Sequence, residues 1–111
     1  MKMGVFSDYP AADKLGALGI SNYFDIALSA QDDAIRAFKP NPAGICRVVE
    51  HLGVAPRQTL YIGDRPDVDA IAAEAAGVQC AIISRRSKKD CADARYAVIS
   101  SYHQLRELLF R

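Results

Sequence analysis

The chain has 111 residues, half of them apolar, and its 14 basic and 13 acidic side chains give a formal net charge of +1. This apolar fraction excludes a disordered chain, and the nearly balanced charge argues against a nucleic-acid partner or an anionic membrane surface. No apolar run approaches the roughly 20 residues of a membrane helix, and the first residues lack a signal-peptide core. We therefore expect one cytoplasmic domain, residues 1–111, without a nucleic-acid or membrane partner.

The first half of the chain predicts two strands and two helices. A short apolar run at residues 3–6 ends at Ser7 and Asp8, and a helix follows from Pro10 to Gly19 with Leu15 and Leu18 on one face. Residues 23–29 read as the second strand. The polar loop after it, residues 30–39, carries Asp32 and Asp33, which we expect to be solvated.

The next helix has the clearest boundaries. Asn41 and Pro42 form a cap and first turn, and Gly53 closes the helix. Between them, the apolar residues recur at the spacing of one helical face; they are Ile45, Val48, Val49 and Leu52.

The second half of the chain repeats this pattern. Residues 59–62 and 80–83 read as strands buried on both faces. Between them, Pro66 opens a helix whose predicted buried stripe is Val68, Ile71, Ala72 and Ala75. A basic loop at residues 85–89 is expected to face water. Residues 96–99 form a short strand, and Ser101 with Gln104 matches a capping box for a last helix with Leu105, Leu108 and Leu109 as its apolar positions.

The three cysteines fit a reducing compartment. Cys46, Cys80 and Cys91 are an odd number, and no two of them have CxxC spacing. Cys46 and Cys80 have apolar neighbours, so both are expected to lie in the core. No zinc site or disulfide framework is indicated.

Strands that alternate with helices predict an α/β fold with a parallel sheet covered on both faces by helices. Ligands of such sheets bind outside the carboxyl ends of the strands. Ser7, Asp8 and Asp64 directly follow strand ends, and Lys39 lies between a strand and a helix start. We expect these side chains to share one edge of the sheet.

The residues of that edge suit phosphate and a divalent cation. Carboxylates such as those of Asp64 and Asp69 are hard ligands suited to Mg²⁺, whereas Asp67 is expected only to cap the helix and complement its dipole, a role that Asp69 could also have. Lys39 is a compact cation that can balance phosphate charge, and the Ser7 hydroxyl can hold phosphate oxygens. Taken singly, Lys39 reads as a solvated lysine and Ser7 as a turn residue.

The order of these residues resembles the haloacid dehalogenase (HAD) superfamily, and its phosphoglycolate-phosphatase-like branch in particular. VFSD matches the second motif of that superfamily, FKPNP the third and GDRPDVD the fourth. DAIAAEAAG resembles the alanine-rich helix that follows. The resemblance covers residues 3–84 and implies a Rossmann-like core.

The resemblance also implies a chemistry and a role for each residue. The superfamily transfers phosphoryl groups through an aspartyl-phosphate with Mg²⁺ as cofactor. By matched position, Ser7 would hold a phosphate oxygen and Lys39 would bridge phosphate and nucleophile. Asp64 would bind the metal and Asp69 would support its shell. Asp8 occupies a phosphate-binding position that is asparagine in many relatives. The expected substrate is a small phosphorylated metabolite.

One motif of the superfamily is absent from the 111 residues. No DxDx[TV] occurs, and the only DxD, at Asp67 and Asp69, belongs to the fourth motif. Asp25 lies at the start of its strand and not at its end, so it is expected at the sheet edge opposite the one where a nucleophile is needed. We therefore expect the C-terminal part of a HAD core, inactive alone, without its nucleophile strand and cap.

By resemblance, the missing strand would lie between the strand that ends at Ser7 and the strand that ends at Gly63. Its loss would leave two unpaired edges. These edges could close on each other, accept a strand from a homodimer or another chain, or leave the fold unstable.

Two other functions fit parts of this pattern. A non-catalytic binding or assembly module could use the anion site or the exposed sheet edge. A phosphoacceptor receiver domain also uses paired acids, a hydroxyl and a Lys-Pro pair, but its acids come first and its lysine last, opposite to the order here.

Overall fold

A computed structural model of the chain describes residues 1–84 and 96–109. Five strands are present in this part of the chain: β1 (Gly4–Ser7), β2 (Ile26–Ser29), β3 (Leu60–Gly63), β4 (Gln79–Ile83) and β5 (Ala97–Ile99). The α-helices are α1 (Ala12–Ala17), α2 (Ala43–Leu52), α3 (Ile71–Ala76) and α4 (Tyr102–Leu109). The predicted alternation of strands and helices is therefore confirmed.

All strand pairs of the described residues are parallel, but the strands form two sheets. β1 pairs with β2, with Gly4 opposite Ile26. β4 lies between β3 and β5, with Leu60 opposite Gln79 and Ala81 opposite Ala97. β1 and β3 do not pair with each other. The parallel α/β fold is confirmed, and the strand order is interrupted where the sequence predicted two unpaired edges.

Helix α2 has the predicted boundaries because both of its ends are capped. The Asn41 side-chain oxygen accepts a hydrogen bond from the Ala43 backbone N–H at 2.9 Å. Gly53 ends the helix at a φ of +68°, a left-handed conformation that favours glycine. The predicted apolar face is buried, and the helix packs against β1, β2 and α3. It therefore connects the two sheets.

The segment after β3 begins differently from the prediction. Pro66–Ala70 form a π-helical turn before α3 begins at Ile71. A π-helical turn contains more residues than an α-helical turn. The sequence positions that face the core are therefore shifted relative to those of a regular α-helix. The buried residues are Asp69, Ala70, Ala72 and Ala73, whereas Ile71 and Ala75 are exposed. The predicted stripe was wrong except at Ala72 and the half-buried Val68.

Several predictions in the first half were also wrong. The second strand begins at Ile26, because Ser21–Tyr23 form a 3₁₀ turn. Leu18, predicted to share a helix face with Leu15, lies just after α1 and is 71% exposed. Asp32 is half-buried, since its carboxylate accepts a hydrogen bond from the Ser29 N–H at 2.9 Å. Asp33 is exposed, as predicted.

The cysteine and strand-burial predictions were correct in part. Cys80 is buried in β4, and burial raises the pKa of its thiol to about 11. Cys46 lies on the outer face of α2 and is exposed, so its placement in the core was wrong. Ile62 of β3 is 38% exposed, which shows that β3 is not covered on both faces.

The last helix has the predicted cap. The Gln104 N–H donates to the Ser101 hydroxyl at 3.2 Å, and the Gln104 side chain accepts from the Ser100 N–H at 2.7 Å. The predictions for Cys91 and the basic loop at residues 85–89 lie outside the described residues. None of the described helices is both long and apolar enough to span a bilayer.

Candidate functional site

A nearly buried ion pair lies at the carboxyl ends of the strands. The Lys39 ammonium is 2.7 Å from the Asp69 carboxylate, and the two side chains are 13% and 4% exposed. Lys39 comes from the segment between β2 and α2, whereas Asp69 belongs to the π-helical turn after β3. The pair therefore joins the two parts of the chain that form separate sheets.

Tyr61 of β3 completes this pair. Its hydroxyl accepts a hydrogen bond from the Lys39 ammonium and donates one to Asp69 Oδ1, each at 3.1 Å. Sequence reasoning missed this residue. A tyrosine in a strand that is predicted to be buried could have indicated it, because a buried tyrosine hydroxyl usually needs a hydrogen-bond partner.

The second oxygen of Asp69 closes the loop after β3. Asp69 Oδ2 accepts hydrogen bonds from the backbone N–H groups of Asp64 and Arg65, both at 3.1 Å. A Cβ at Gly63 would lie 2.5 Å from the Cβ of Asp69, so only glycine admits this approach. The loop formed by the GDRPDVD segment therefore requires both the glycine at its start and the aspartate at its end.

The charges within the pair are mutually stabilised. Burial disfavours charge on Lys39, but hydrogen bonds to Asp69 and Tyr61 outweigh it and raise the pKa of Lys39 to about 12. Burial likewise opposes charge on Asp69, yet Lys39 and the Arg65 N–H lower the pKa of its carboxyl. Burial raises the pKa of Tyr61 to about 12. At neutral pH the cluster holds an ammonium, a carboxylate and a neutral phenol.

Ser7 and Asp8 lie at the carboxyl end of β1, next to the segment that carries Lys39. Asp8 Oδ1 accepts a hydrogen bond from the Lys39 backbone N–H at 3.2 Å and so holds the segment that carries the ammonium. The Ser7 hydroxyl accepts from the Tyr9 N–H at 3.3 Å. Ser7 and Asp8 are both half-buried.

The two acids predicted to bind metal are in different environments. Asp69 receives four hydrogen bonds, from Lys39, Tyr61 and two backbone N–H groups. Asp64 lies directly after β3 and is exposed. No group of three or more potential ligands among His, Cys, Asp and Glu is close enough to hold a metal within residues 1–84 and 96–109. One open carboxylate fits Mg²⁺ that keeps several waters, whereas Asp69 fits a supporting role.

Asp25 lies at the opposite edge, as predicted. Its carboxylate accepts a hydrogen bond from the Met3 N–H at 2.7 Å, at the amino end of β1. It is therefore remote from the strand ends that carry Ser7 and Asp64.

Comparison with known proteins identifies close likenesses. The model of the haloacid dehalogenase-like hydrolase family matches residues 2–77. A phosphoglycolate phosphatase of Yersinia pestis is 34% identical over 83 residues, which are 72% of this chain and 34% of that protein. The phosphoglycolate phosphatase of Escherichia coli (strain K12) is 36% identical over 81 residues, which are 69% of this chain and 31% of that protein.

A solved structure extends the likeness to nearly the whole chain. The crystal structure of a HAD phosphatase from Thermococcus onnurineus superposes with a TM-score of 0.84 at 30% identity. The match covers 98% of this chain and 50% of that one. The chain thus spans about a third of the length of the curated relatives it matches and half of the length of the Thermococcus onnurineus chain.

Proposed function

The chain belongs to the haloacid dehalogenase-like hydrolase family, and we propose that its polar edge is the phosphate- and Mg²⁺-binding part of a phosphohydrolase site. The observation that carries this proposal is the ion pair of Lys39 and Asp69, which brings two of the matched motifs together at the strand ends. Several relatives are named phosphoglycolate phosphatases. We accordingly propose a small phosphomonoester as substrate.

The phosphate would bind between the end of β1 and the Lys39 ammonium. Lys39 uses two of its three N–H donors on Tyr61 and Asp69, so one remains for a phosphate oxygen. Asp69 and Tyr61 hold the ammonium in place and keep it charged. The Ser7 hydroxyl, which can also donate, is suited to a second phosphate oxygen.

Magnesium suits the charge of this edge. Asp8, Asp64, Asp67 and Asp69 supply four carboxylates against the two cations Lys39 and Arg65. A phosphate ester would add further negative charge, so a divalent cation at Asp64 would lower the repulsion. When bound, the metal would neutralise charge on the transferring phosphoryl group.

The nucleophile is the part that these 111 residues do not supply. HAD enzymes act through an aspartyl-phosphate, and no DxDx[TV] occurs in the sequence. We therefore propose that the chain alone binds phosphate but does not hydrolyse esters. Turnover would need an aspartate from a further polypeptide segment.

Turnover of a generic phosphomonoester, with and without Mg²⁺, tests this proposal. We expect no Mg²⁺-dependent activity from the purified chain. The variant Asp64→Ala and its control Asp33→Ala, at an exposed aspartate of the segment between β2 and α2, identify contaminating enzyme. Activity that needs Mg²⁺ and disappears only in Asp64→Ala would show that the chain has its own nucleophile.

Phosphate binding is measured separately, by ³¹P NMR of inorganic phosphate titrated with the chain and Mg²⁺. We expect line broadening that weakens in Ser7→Ala and persists in Ser21→Ala, whose serine lies in an exposed turn. Equal broadening in both variants would contradict the role of Ser7. No broadening with the wild-type chain would overturn the anion site itself.

A non-catalytic binding module is the second candidate function. The observation that favours it is the separation of β1 from β3, which leaves one side of each strand without a partner strand among residues 1–84 and 96–109. A phosphatase site needs the polar edge, whereas a binding module needs this open side. Variants of the two regions therefore distinguish the functions.

A further inference from the structure

An exposed pair of aromatic side chains lies next to the residues that are suited to phosphate. The ring centres of Tyr9 and Phe38 are 6.2 Å apart, and their planes are inclined by 60°. Tyr9 is 67% exposed and Phe38 is 51% exposed. Much of both rings is therefore in contact with solvent, whereas aromatic side chains usually contribute their large area to a core or an interface.

The backbone places both rings beside the proposed phosphate position. Tyr9 is two residues from Ser7, and its N–H donates a hydrogen bond to the Ser7 hydroxyl. Phe38 directly precedes Lys39 in the chain. Consecutive Cα atoms are about 3.8 Å apart, so each aromatic residue begins within the length of a small organic group from a residue suited to phosphate. The alcohol part of a phosphate ester, its leaving group, can therefore reach the aromatic pair.

The Asp8 carboxylate lies between the backbones of the two aromatic residues. Asp8 directly precedes Tyr9, and its Oδ1 accepts a hydrogen bond from the Lys39 N–H, which belongs to the peptide group that follows Phe38. A bond from a neutral backbone N–H leaves the carboxylate with its negative charge. The aromatic pair therefore has an anionic group beside it.

We propose that Tyr9, Phe38 and Asp8 bind a cationic leaving group, so that the substrate is the phosphate monoester of an amino alcohol with an ammonium or quaternary ammonium group. A cation is attracted to the face of an aromatic ring when it lies within about 6 Å of the ring centre. Because the two ring centres are 6.2 Å apart, one cation can lie within that distance of both. This inference rests on the proposed phosphohydrolase function and names the substrate class of that site.

The charge of Asp8 distinguishes a cationic leaving group from two others. A leaving group with a carboxylate would place a second negative charge beside Asp8, which is unfavourable. An uncharged apolar or aryl group would cover the rings but also remove water from the Asp8 carboxylate, at a cost in solvation. A cationic group gains from the rings and from the carboxylate together.

Titration of phosphate monoesters with the 111-residue chain, followed by ³¹P NMR line width in the presence of Mg²⁺, tests the inference. The probes are phosphocholine, ethyl phosphate and 2-phosphoglycolate, whose leaving groups are cationic, neutral and anionic. At about pH 8 all three phosphates are dianions, because the second pKa of a phosphate monoester is about 6. We expect phosphocholine to bind at least about fivefold more tightly than ethyl phosphate, and 2-phosphoglycolate to bind more weakly than either.

Variants of the two rings show whether their aromatic faces are responsible. Tyr9→Leu and Phe38→Leu keep an apolar side chain without a ring, so each should lower the preference for phosphocholine over ethyl phosphate by about two- to fivefold. Tyr9→Phe keeps the ring and should keep the preference. The control is Tyr23→Leu, at a tyrosine that is 70% exposed in the turn before β2, and it should not change the preference. Equal effects of Tyr9→Leu and Tyr23→Leu would contradict the assignment.

A variant of Asp8 tests the contribution of charge. Asp8→Asn keeps an oxygen that can accept from the Lys39 N–H but removes the negative charge. It should lower the preference for phosphocholine over 2-phosphoglycolate by at least about threefold. The control Asp33→Asn, at an exposed aspartate, should retain the preference. An unchanged preference in Asp8→Asn would show that its carboxylate has no part in binding the leaving group.

The outcomes separate this inference from the proposed function. If neither inorganic phosphate nor any ester bound, the phosphate site would be wrong, and the cationic leaving group with it. If inorganic phosphate bound and all the esters bound equally, the phosphate site would stand and the cationic leaving group would be overturned. Phenyl phosphate is the last probe, since tighter binding of phenyl phosphate than of phosphocholine would assign the rings to an uncharged aromatic group and overturn the inference.

Discussion

The two sheets differ in how their residues are buried. Around β3, β4 and β5, four residues are fully buried: Ala72, Ala73, Ala81 and Ile82. Around β1 and β2, every residue of β1 is half-buried, α1 has no buried residue, and burial is confined to Ser29 and Ala30 at the end of β2. The first sheet therefore has little core of its own and depends on α2 and the ion pair of Lys39 with Asp69 for its position.

The largest effect is expected from removing the ion pair that joins the two sheets. Asp69→Ala leaves the Lys39 ammonium and two backbone N–H groups without their acceptor, which should cost about 3–5 kcal/mol of unfolding free energy. Urea denaturation measures it. The control is Asp67→Ala, which removes an exposed ion pair with Arg65 and should cost less than about 1 kcal/mol. Similar losses in both variants would show that the buried pair does not join the sheets.

One apolar substitution near each sheet tests the difference in burial. Ile82→Ala removes a fully buried side chain of β4 and should lower the unfolding free energy by about 2–5 kcal/mol. Leu18→Ala removes an equal number of carbons from a residue at the end of α1 that is 71% exposed, and it should change stability by less than about 0.5 kcal/mol. A loss above about 1 kcal/mol in Leu18→Ala would indicate that this residue packs against something in solution.

The pH dependence of stability tests the ion pair without breaking it. The pKa of Lys39 is raised from 10.5 to about 12 and that of Tyr61 from 10.0 to about 12. Their contribution is therefore complete below pH 10 and is lost as the pH rises towards 12, by about 2 kcal/mol for Lys39. The pKa of Asp69 is lowered from 3.8, so its contribution is complete above that value and is lost as the pH falls below it.

Urea midpoints measured from pH 3 to 11 provide the test. Asp69→Asn should reduce the loss of stability on the acid side relative to wild type, while Asp33→Asn, at a side chain that is 91% exposed, should retain it. If both variants followed the wild-type curve, the lowered pKa of Asp69 would be wrong.

Much of the fold and the location of the site followed from local patterns. The boundaries of α2 were predictable because Asn41 and Gly53 act within one turn of the helix ends. Lys39 and Asp69 were predictable as site residues because their motifs resemble a family. Tyr61 was not found, because its hydroxyl meets residues 8 and 22 positions away in the chain.

The errors have a common cause. The buried stripe after Pro66 was misplaced because one π-helical turn changed the spacing of the buried face. Cys46 was expected to be buried from its apolar neighbours, but it lies on a face of α2 that is exposed in the described chain. Such faces depend on which elements meet, and sequence periodicity does not include that information.

The order of strands and helices, the parallel class of the sheet and the edge that holds the polar residues follow from the amino-acid sequence, because these depend on apolar spacing, caps and strand ends. Two features depend on the packing of distant segments: Asp69 is enclosed by four donors while Asp64 stays open, and a cleft separates β1 from β3. Those features arise where segments far apart in the chain pack together, and there the geometry of the backbone decides which groups find a partner.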